Sequence, residues 1–275
     1  MTPPATPPSA QAADPSAVLR ADGVTLAHGQ AIAVDTIRLA PPPGRLTAVV
    51  GPNGCGKSTL LAGLSRLHRP AGGTVLLDGR DLARLPAREA ARRIGLLPQS
   101  AQAPDGLTVA DLVRFGRQPH QGLLRQWSPQ DQQAVDRALT ATGMTALAGR
   151  LLETLSGGQR QRAWIALTVA QETAVLLLDE PTSALDLGHQ LEVFELLREL
   201  AAAGRTVVVV VHDLMLACRY ADHLVAMKAG RMVAEGAPRE VVTPELIRRL
   251  YGVEAGVLRD PDTDRPLVVP RGLAP

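Results

Sequence analysis

Residues 51–59 read GPNGCGKST, with three glycines, a lysine and two hydroxyls in nine positions. They satisfy G-x-x-x-x-G-K-[ST] between an apolar run, RLTAVVG (45–51), and a helical pattern, KSTLLAGLSRL. That setting suits phosphate binding. The loop Gly51, Pro52, Asn53, Gly54, Cys55 and Gly56 bends freely at its glycines, so backbone N–H groups can curl around phosphate oxygens. The helix that follows adds unsatisfied N–H donors and the positive end of its dipole. In such a loop Lys57 reaches the β- and γ-phosphates, Ser58 ligates Mg²⁺ and Thr59 supports the α-phosphate side. Cys55 reads as a small tolerated residue.

The run AVLLLDE (174–180) is an apolar strand ending in two carboxylates. Asp179 is placed to hold hydrated Mg²⁺, and Glu180 to orient and polarise an attacking water. Successive strand residues face opposite sides, so the two acids do not compete for one position. An acidic pair after a strand also serves as an ordinary helix cap. Combined with the phosphate loop, it points to phosphoryl transfer to water. A difficulty then arises at LSGGQRQR (155–162). Ser156, Gly157, Gly158 and Gln159, set before a helical run, could form a second anion pocket far downstream of the first.

Several elements must position these groups. GGTVLLDGRDL (72–82) contains a strand with an Asp-Gly turn, while RRIGLLPQ (92–99) and RTVVVVVHD (205–213) read as further strands. GHQLEVFELLRELAAAG lies as a helix between the last two strand signals. Continuous apolar strands predict a mostly parallel sheet with helices on both faces. VLRADGVTLAHG and DTIRLA alternate better and suit a peripheral antiparallel layer. From about Ser100 to Thr168 the pattern is mainly helical. The predicted fold is α/β, a nucleotide-binding core split by a helical insertion. DPDTDRPLVVP reads as an extended or loosely packed tail.

Composition narrows the classes. With 275 residues and 45% hydrophobic content, the chain can bury one large core or two coupled ones. Its 29 basic and 27 acidic residues nearly cancel, leaving no polybasic footprint for nucleic acid. Positive charge is almost all arginine; the lysines are Lys57 and Lys228. Two cysteines, Cys55 and Cys218, give neither a disulfide framework nor a zinc pattern, and suggest a reduced compartment. The histidines, His120 and His189 included, show no metal-ligand spacing. No apolar run approaches the roughly 18 residues that span a bilayer. MTPPATPPSAQAADPSA lacks the basic-then-apolar order of a secretory signal, so residues 1–17 are expected to form a disordered tail. These features point to a soluble cytoplasmic protein.

The ordered set GPNGCGKST, LLPQ, LSGGQRQR, LLLDEPTSALD and VVVHD resembles the ATP-binding cassette (ABC) transporter ATPases over roughly residues 18–255. The resemblance implies a P-loop NTPase (RecA-like) core, 18–98 and 169–255, with a peripheral antiparallel β layer. It also implies an α-helical subdomain over 99–168 and a C-terminal tail over 256–275. Gln99 matches the glutamine that contacts Mg²⁺ and the attacking water and links core to insertion. His212 matches the switch histidine, which hydrogen-bonds the γ-phosphate and keeps Glu180 and the water aligned. Asp186 matches the aspartate of the loop that crosses between subunits. His28 stands where the family usually stacks an aromatic, often Tyr, on adenine; imidazole offers less area for that contact.

The same resemblance resolves the second pocket. Ser156, Gly157, Gly158 and Gln159 face ATP bound by another copy, so two chains arranged head-to-tail complete two sites. The implied assembly is a homodimer at the cytoplasmic face of the inner membrane. It drives a separate integral membrane permease, with a periplasmic or extracellular substrate-binding protein acting indirectly and no nucleic acid involved. Phe115 and Trp127 lie near the expected permease groove and suit either core or interface. LVRFGRQPH, LDLGHQLEVFELLREL and PREVVTPELIRRLYGVEA resemble the importer branch for ferric siderophores, ferric citrate, haem and vitamin B12, with ferric siderophore or citrate nearest. Two alternatives are a non-transport ABC ATPase in DNA repair or translation, and an ATP-binding module without turnover. The first usually has paired cassettes or coiled-coil insertions, and Glu180 with His212 argues against the second.

Overall fold

A computed structural model describes residues 18–122, 127–183 and 185–274; the tail expected over 1–17 lies outside the described residues. An antiparallel pair, β1 (Leu19–His28) and β2 (Ala31–Leu39), precedes β3 (Leu46–Val50), which the phosphate loop joins to α1 (Lys57–Leu64). β4 (Gly72–Leu77) and β5 (Arg80–Asp81) return beside β1 and give the order β2-β1-β4-β5. The expected Asp-Gly turn joins them. Asp78 and Gly79 have φ of 49° and 75°, the left-handed values a tight hairpin needs.

After α2 (Ala87–Ala91) and β6 (Ile94–Leu97) come three helices, α3 (Val109–Phe115), α4 (Pro129–Ala141) and α5 (Gly157–Ala170). Capping boxes start all three, using Thr108 with Asp111, Ser128 with Asp131, and Ser156 with Gln159. The chain then alternates through β7 (Val175–Asp179), α6 (Leu187–Ala202), β8 (Thr206–Val210), α7 (Leu214–Tyr220), β9 (His223–Lys228) and β10 (Arg231–Gly236).

The main sheet runs β10-β9-β3-β8-β7-β6, parallel except for the β9–β10 pair. β3, β7 and β8 are buried at every position, which is why their sequences are continuous apolar runs. Strand alternation divides them between two cores. Ala48, Val50, Leu176, Leu178, Val207 and Val209 pack with α3, α5, α6 and α7. Val49, Leu177, Val208 and Val210 pack with α1 and the β1–β2–β4 layer.

The C-terminal region departs from expectation. After α8 (Pro238–Val241) and α9 (Pro244–Tyr251), it forms an antiparallel hairpin, β11 (Val253–Arg259) and β12 (Pro266–Leu273). DPDTDRPLVVP, expected to be extended or loosely packed, is the turn and the extended second strand of that hairpin, paired and not loose. The Asp260 carboxylate accepts from the N–H groups of Asp262 and Thr263 and shapes the turn. Val268 N–H donates to Met215 Sδ at 3.2 Å, and Ala274 N–H donates to Gly252 O at 2.8 Å. The Pro- and Asp-rich sequence hides a strand with no regular apolar and polar alternation, in which Val269 and Leu273 are exposed.

Candidate active site

β3, β8, β7 and β6 are neighbours, and their carboxyl ends deliver the predicted groups to one rim. β3 leads to Lys57 and Ser58, β8 to His212, β7 to Asp179 and Glu180, and β6 to Gln99. Residues far apart in sequence meet because they end adjacent parallel strands.

The phosphate loop has little freedom. A Cβ on Gly51 (φ 151°) would lie 2.1 Å from Met227 O, and one on Gly56 (φ 100°) 2.3 Å from Ala33 O. Only glycine fits either position. The β9–β10 turn braces the loop, with Gly230 N–H donating to Cys55 O at 3.0 Å and Asp35 N–H to Gly230 O at 2.8 Å. Nothing in the sequence reveals this brace. Lys57 is buried, and its Nζ donates to Gly51 O at 2.9 Å and Pro52 O at 3.1 Å. A buried ammonium needs such acceptors. Burial also pushes the Cys55 thiol up, against the pull of Lys57, which suits a packing role.

Ser58 Oγ donates to Asp179 Oδ1 at 3.0 Å. Burial raises the Asp179 carboxyl and neighbouring Glu180 raises it further, while the Ser58 hydrogen bond opposes both. The convergence of a hydroxyl and a carboxylate, both hard oxygen donors, fits Mg²⁺. Glu180 adopts φ 52°, rare for a residue with a side chain, just beyond β7. Its Oε2 accepts from Gln99 Nε2 at 2.8 Å, and its Oε1 pairs with His212 Nε2. Glu180 is buried whereas His212 is partly open to solvent. The carboxylate is oriented from both sides, as a water-polarising base requires.

His28 Nε2 lies 3.3 Å from Thr59 Oγ1, and its ring meets His68 edge-on at 4.9 Å. This puts the imidazole beside the start of α1. Thr59 is thereby engaged with His28. His120 Nε2 contacts Gln171 O, and His189 Nδ1 contacts Asp186, so both have local partners. Asp186 caps α6 by accepting from His189 N–H at 3.0 Å; that bond, then the His189 ring, hold its carboxyl below the usual range.

Ser156–Gln159 do not join this cluster. Ser156 Oγ accepts from Gln159 N–H at 3.2 Å, and Gln159 Oε1 accepts from Ser156 N–H at 3.2 Å. Among the described residues no hydrogen bond or ion pair links these four to Gly51–Thr59. A Cβ on Gly157 would meet nothing within 4 Å, so the fold of one chain does not require glycine there. Phe115 and Trp127 are each about two-fifths exposed, and the Arg114 guanidinium lies over the Trp127 ring.

Residues 34–183 match the family described as ABC transporter. The chain belongs to that family. The ferric enterobactin transport ATP-binding protein FepC of Escherichia coli (strain K12) is 52% identical over 255 residues, covering 92% of this chain and 94% of the relative. The petrobactin import ATP-binding protein FpuD of Bacillus anthracis is 49% identical over 250 residues, covering 90% and 92%. Among solved structures, a metal-chelate type ABC transporter in an inward-facing conformation has a TM-score of 0.80 at 30% identity, covering 93% of this chain and 97% of that one. The dimeric structure of MJ0796, a bacterial ABC transporter cassette, has a TM-score of 0.72 at 28% identity, covering 80% and 98%. This ABC chain is an ATPase with a P-loop NTPase core. Among the described residues no helix is long and apolar enough to cross a membrane.

Proposed function

We propose that this chain is the ATP-hydrolysing subunit of an importer for ferric siderophore or ferric citrate. It works as a head-to-tail homodimer on the cytoplasmic face of the membrane, beneath a separate permease fed by a substrate-binding protein. The cargo reading rests on 52% identity to a ferric enterobactin transport ATP-binding protein across nearly the whole of both chains.

In this reading Glu180 polarises the attacking water, while Gln99 and His212 hold its carboxylate and sense the γ-phosphate. Lys57 and the loop N–H groups bind the transferred phosphoryl group and stabilise its charge. Ser58 and Gln99, with Asp179 through water, would hold Mg²⁺, which supplies charge neutralisation at the phosphates. Ser156, Gly157, Gly158 and Gln159 act on the nucleotide of the opposite copy, with Asp186 in the crossing loop. Closure is then tied to the γ-phosphate and reopening to its loss.

Cobalamin remains the competing cargo, because a cobalamin import ATP-binding protein BtuD of Halobacterium salinarum is 44% identical over 238 residues. Uptake of labelled ferric siderophore, ferric citrate, haem and cobalamin, compared in cells with and without this chain, tests the reading. Loss confined to ferric chelates is expected. Loss confined to cobalamin or haem overturns the cargo, and ATPase activity stimulated by DNA or ribosomes overturns transport.

A further inference from the structure

Two hairpins of this chain turn through two residues in nearly the same backbone shape. Asp78 and Gly79 join β4 to β5 at φ of 49° and 75°, and Ala229 and Gly230 join β9 to β10 at 47° and 77°. Their surroundings differ. A Cβ on Gly79 would meet nothing within 4 Å, whereas one on Gly230 would lie 2.9 Å from Ala33 O. That carbonyl of β2 also stands 2.3 Å from a Cβ on Gly56, so β2, the phosphate loop and the β9–β10 turn meet at one point. The β9–β10 hairpin holds the loop near both ends. Met227 O, on β9, closes over Gly51, and Gly230 N–H donates to Cys55 O at 3.0 Å. The turn is itself tied to β2, since Asp35 N–H donates to Gly230 O at 2.8 Å and Arg231 Nε to Asp35 Oδ2 at 2.9 Å. The Cys55–Gly56 peptide is trans, so a carbonyl held toward Gly230 sends the Gly56 N–H the opposite way, away from the turn. That N–H is one of those the loop offers to phosphate oxygens.

We infer that Gly230 is a positioning residue of the nucleotide site, its N–H fixing the Cys55 carbonyl and with it the direction of the Gly56 N–H. Glycine is needed there for two reasons. The backbone is left-handed, and a side chain would push the turn off β2 and carry the Cys55 contact with it. The inference rests on the proposed role of Gly51–Thr59 in nucleotide binding and not on the cargo.

The test uses the full-length chain with ATP and ADP as probes. Gly230→Ala and Gly230→Asn both add a Cβ against Ala33 O. Asparagine tolerates the left-handed backbone better, and so decides the matter if the alanine variant folds poorly. Affinity for ATP and ADP is expected to fall roughly two- to tenfold in both, the loss of one hydrogen bond. KM for ATP should rise in step with kcat at saturation nearly unchanged, because bound ground and transition states lose the same alignment. Gly79→Ala puts the same backbone strain at the matching turn in open space, and is expected to lower the melting temperature with nucleotide affinity intact. Unchanged affinity in the Gly230 variants overturns the inference. So does an equal loss in Gly79→Ala, which would assign the effect to general destabilisation. Undiminished ATP binding in Lys57→Ala would overturn the role of Gly51–Thr59 and the inference with it, whereas a failure confined to Gly230 leaves that role standing.

Discussion

Gln99 donates through Nε2 to Glu180 Oε2 at 2.8 Å, tying the end of the outermost parallel strand to the proposed base. Gln99 stands where the chain leaves β6 for α3, so a shift of the helical segment would pull directly on that carboxylate. Glu180→Gln should bind ATP but hydrolyse it at least about a hundredfold more slowly, since the base is lost. Gln99→Ala should lose less, because His212 still holds the other oxygen. Phosphate release beside equilibrium ATP binding checks both. Wild-type turnover in Glu180→Gln would remove Glu180 from the base role.

Asp179 carries a conflict between stability and chemistry. Its carboxyl is raised by burial and by Glu180, so the fold favours its protonated form. For an acid with a raised pKa, the unfavourable contribution to stability is present above the folded pKa. It disappears as pH falls below the ordinary value of 3.8. Asp179→Asn retains an acceptor for Ser58 and removes the charge. It should therefore melt no lower than wild type at neutral pH, while Mg²⁺-dependent hydrolysis is lost. A large drop in melting temperature would show that the charged carboxylate is needed for folding.

The candidate rim was legible because its residues follow short apolar runs whose length and flanking glycine or proline mark them as buried strands. GPNGCGKST, AVLLLDE and VVVHD each announce a strand end, and the fold brings those ends together. The C-terminal hairpin was not legible, since its prolines and glycines read as loop and its apolar residues do not alternate with burial, Val269 and Leu273 being exposed. Contacts made by main-chain atoms also leave no side-chain signature. Gly230 on Cys55 and Ala33 against Gly56 are examples. Arg117 sits within LVRFGRQPH, but nothing there tells a buried arginine from the many surface ones.

His28 tests the nucleotide-base side of the site. Its ring lies beside Thr59 at the start of α1, where a base stacked on it would overlie the phosphate loop. His28→Ala should weaken ATP binding roughly two- to tenfold, in line with a lost aromatic contact. His28→Tyr, with more ring area, should tighten it. Titrations with ATP and ADP check this, and an unchanged affinity in His28→Ala removes the stacking role.

Arg117 anchors the helical segment. Its guanidinium donates to Asp131 Oδ1 at 3.1 Å, Ala170 O at 2.7 Å and Glu172 Oε2 at 3.0 Å, and Asp131 is 1% exposed. Burial pushes Asp131 up, but hydrogen bonds from Ser128 and Arg117 outweigh it and hold the carboxyl below 3.8. A lowered pKa stabilises the fold above the ordinary value and ceases to do so as pH falls through the lowered one. Arg117→Met leaves the Asp131 charge buried without its cation and should cost about 3–5 kcal/mol at neutral pH. The gap to wild type should narrow below 3.8 as Asp131 is protonated. Denaturant melts at neutral and acid pH read both effects.

Gly157 separates the needs of one chain from those of the pair. Gly51 and Gly56 are required by the fold, because a Cβ on either would strike a backbone carbonyl. Gly157 meets no such obstacle and is the first residue of α5. Alanine is favoured over glycine in a helix by up to about 1 kcal/mol. Gly157→Ala should therefore melt at or above the wild-type temperature and bind ATP normally. If a second copy's phosphates approach this helix end, the added methyl should still reduce turnover and ATP-driven dimerisation. The bulkier Ser156→Arg should abolish dimerisation while ATP binding persists. Light scattering with ATP in a Glu180→Gln background reads the dimer directly. Unimpaired dimerisation in Ser156→Arg would mean that Ser156–Gln159 merely cap a helix.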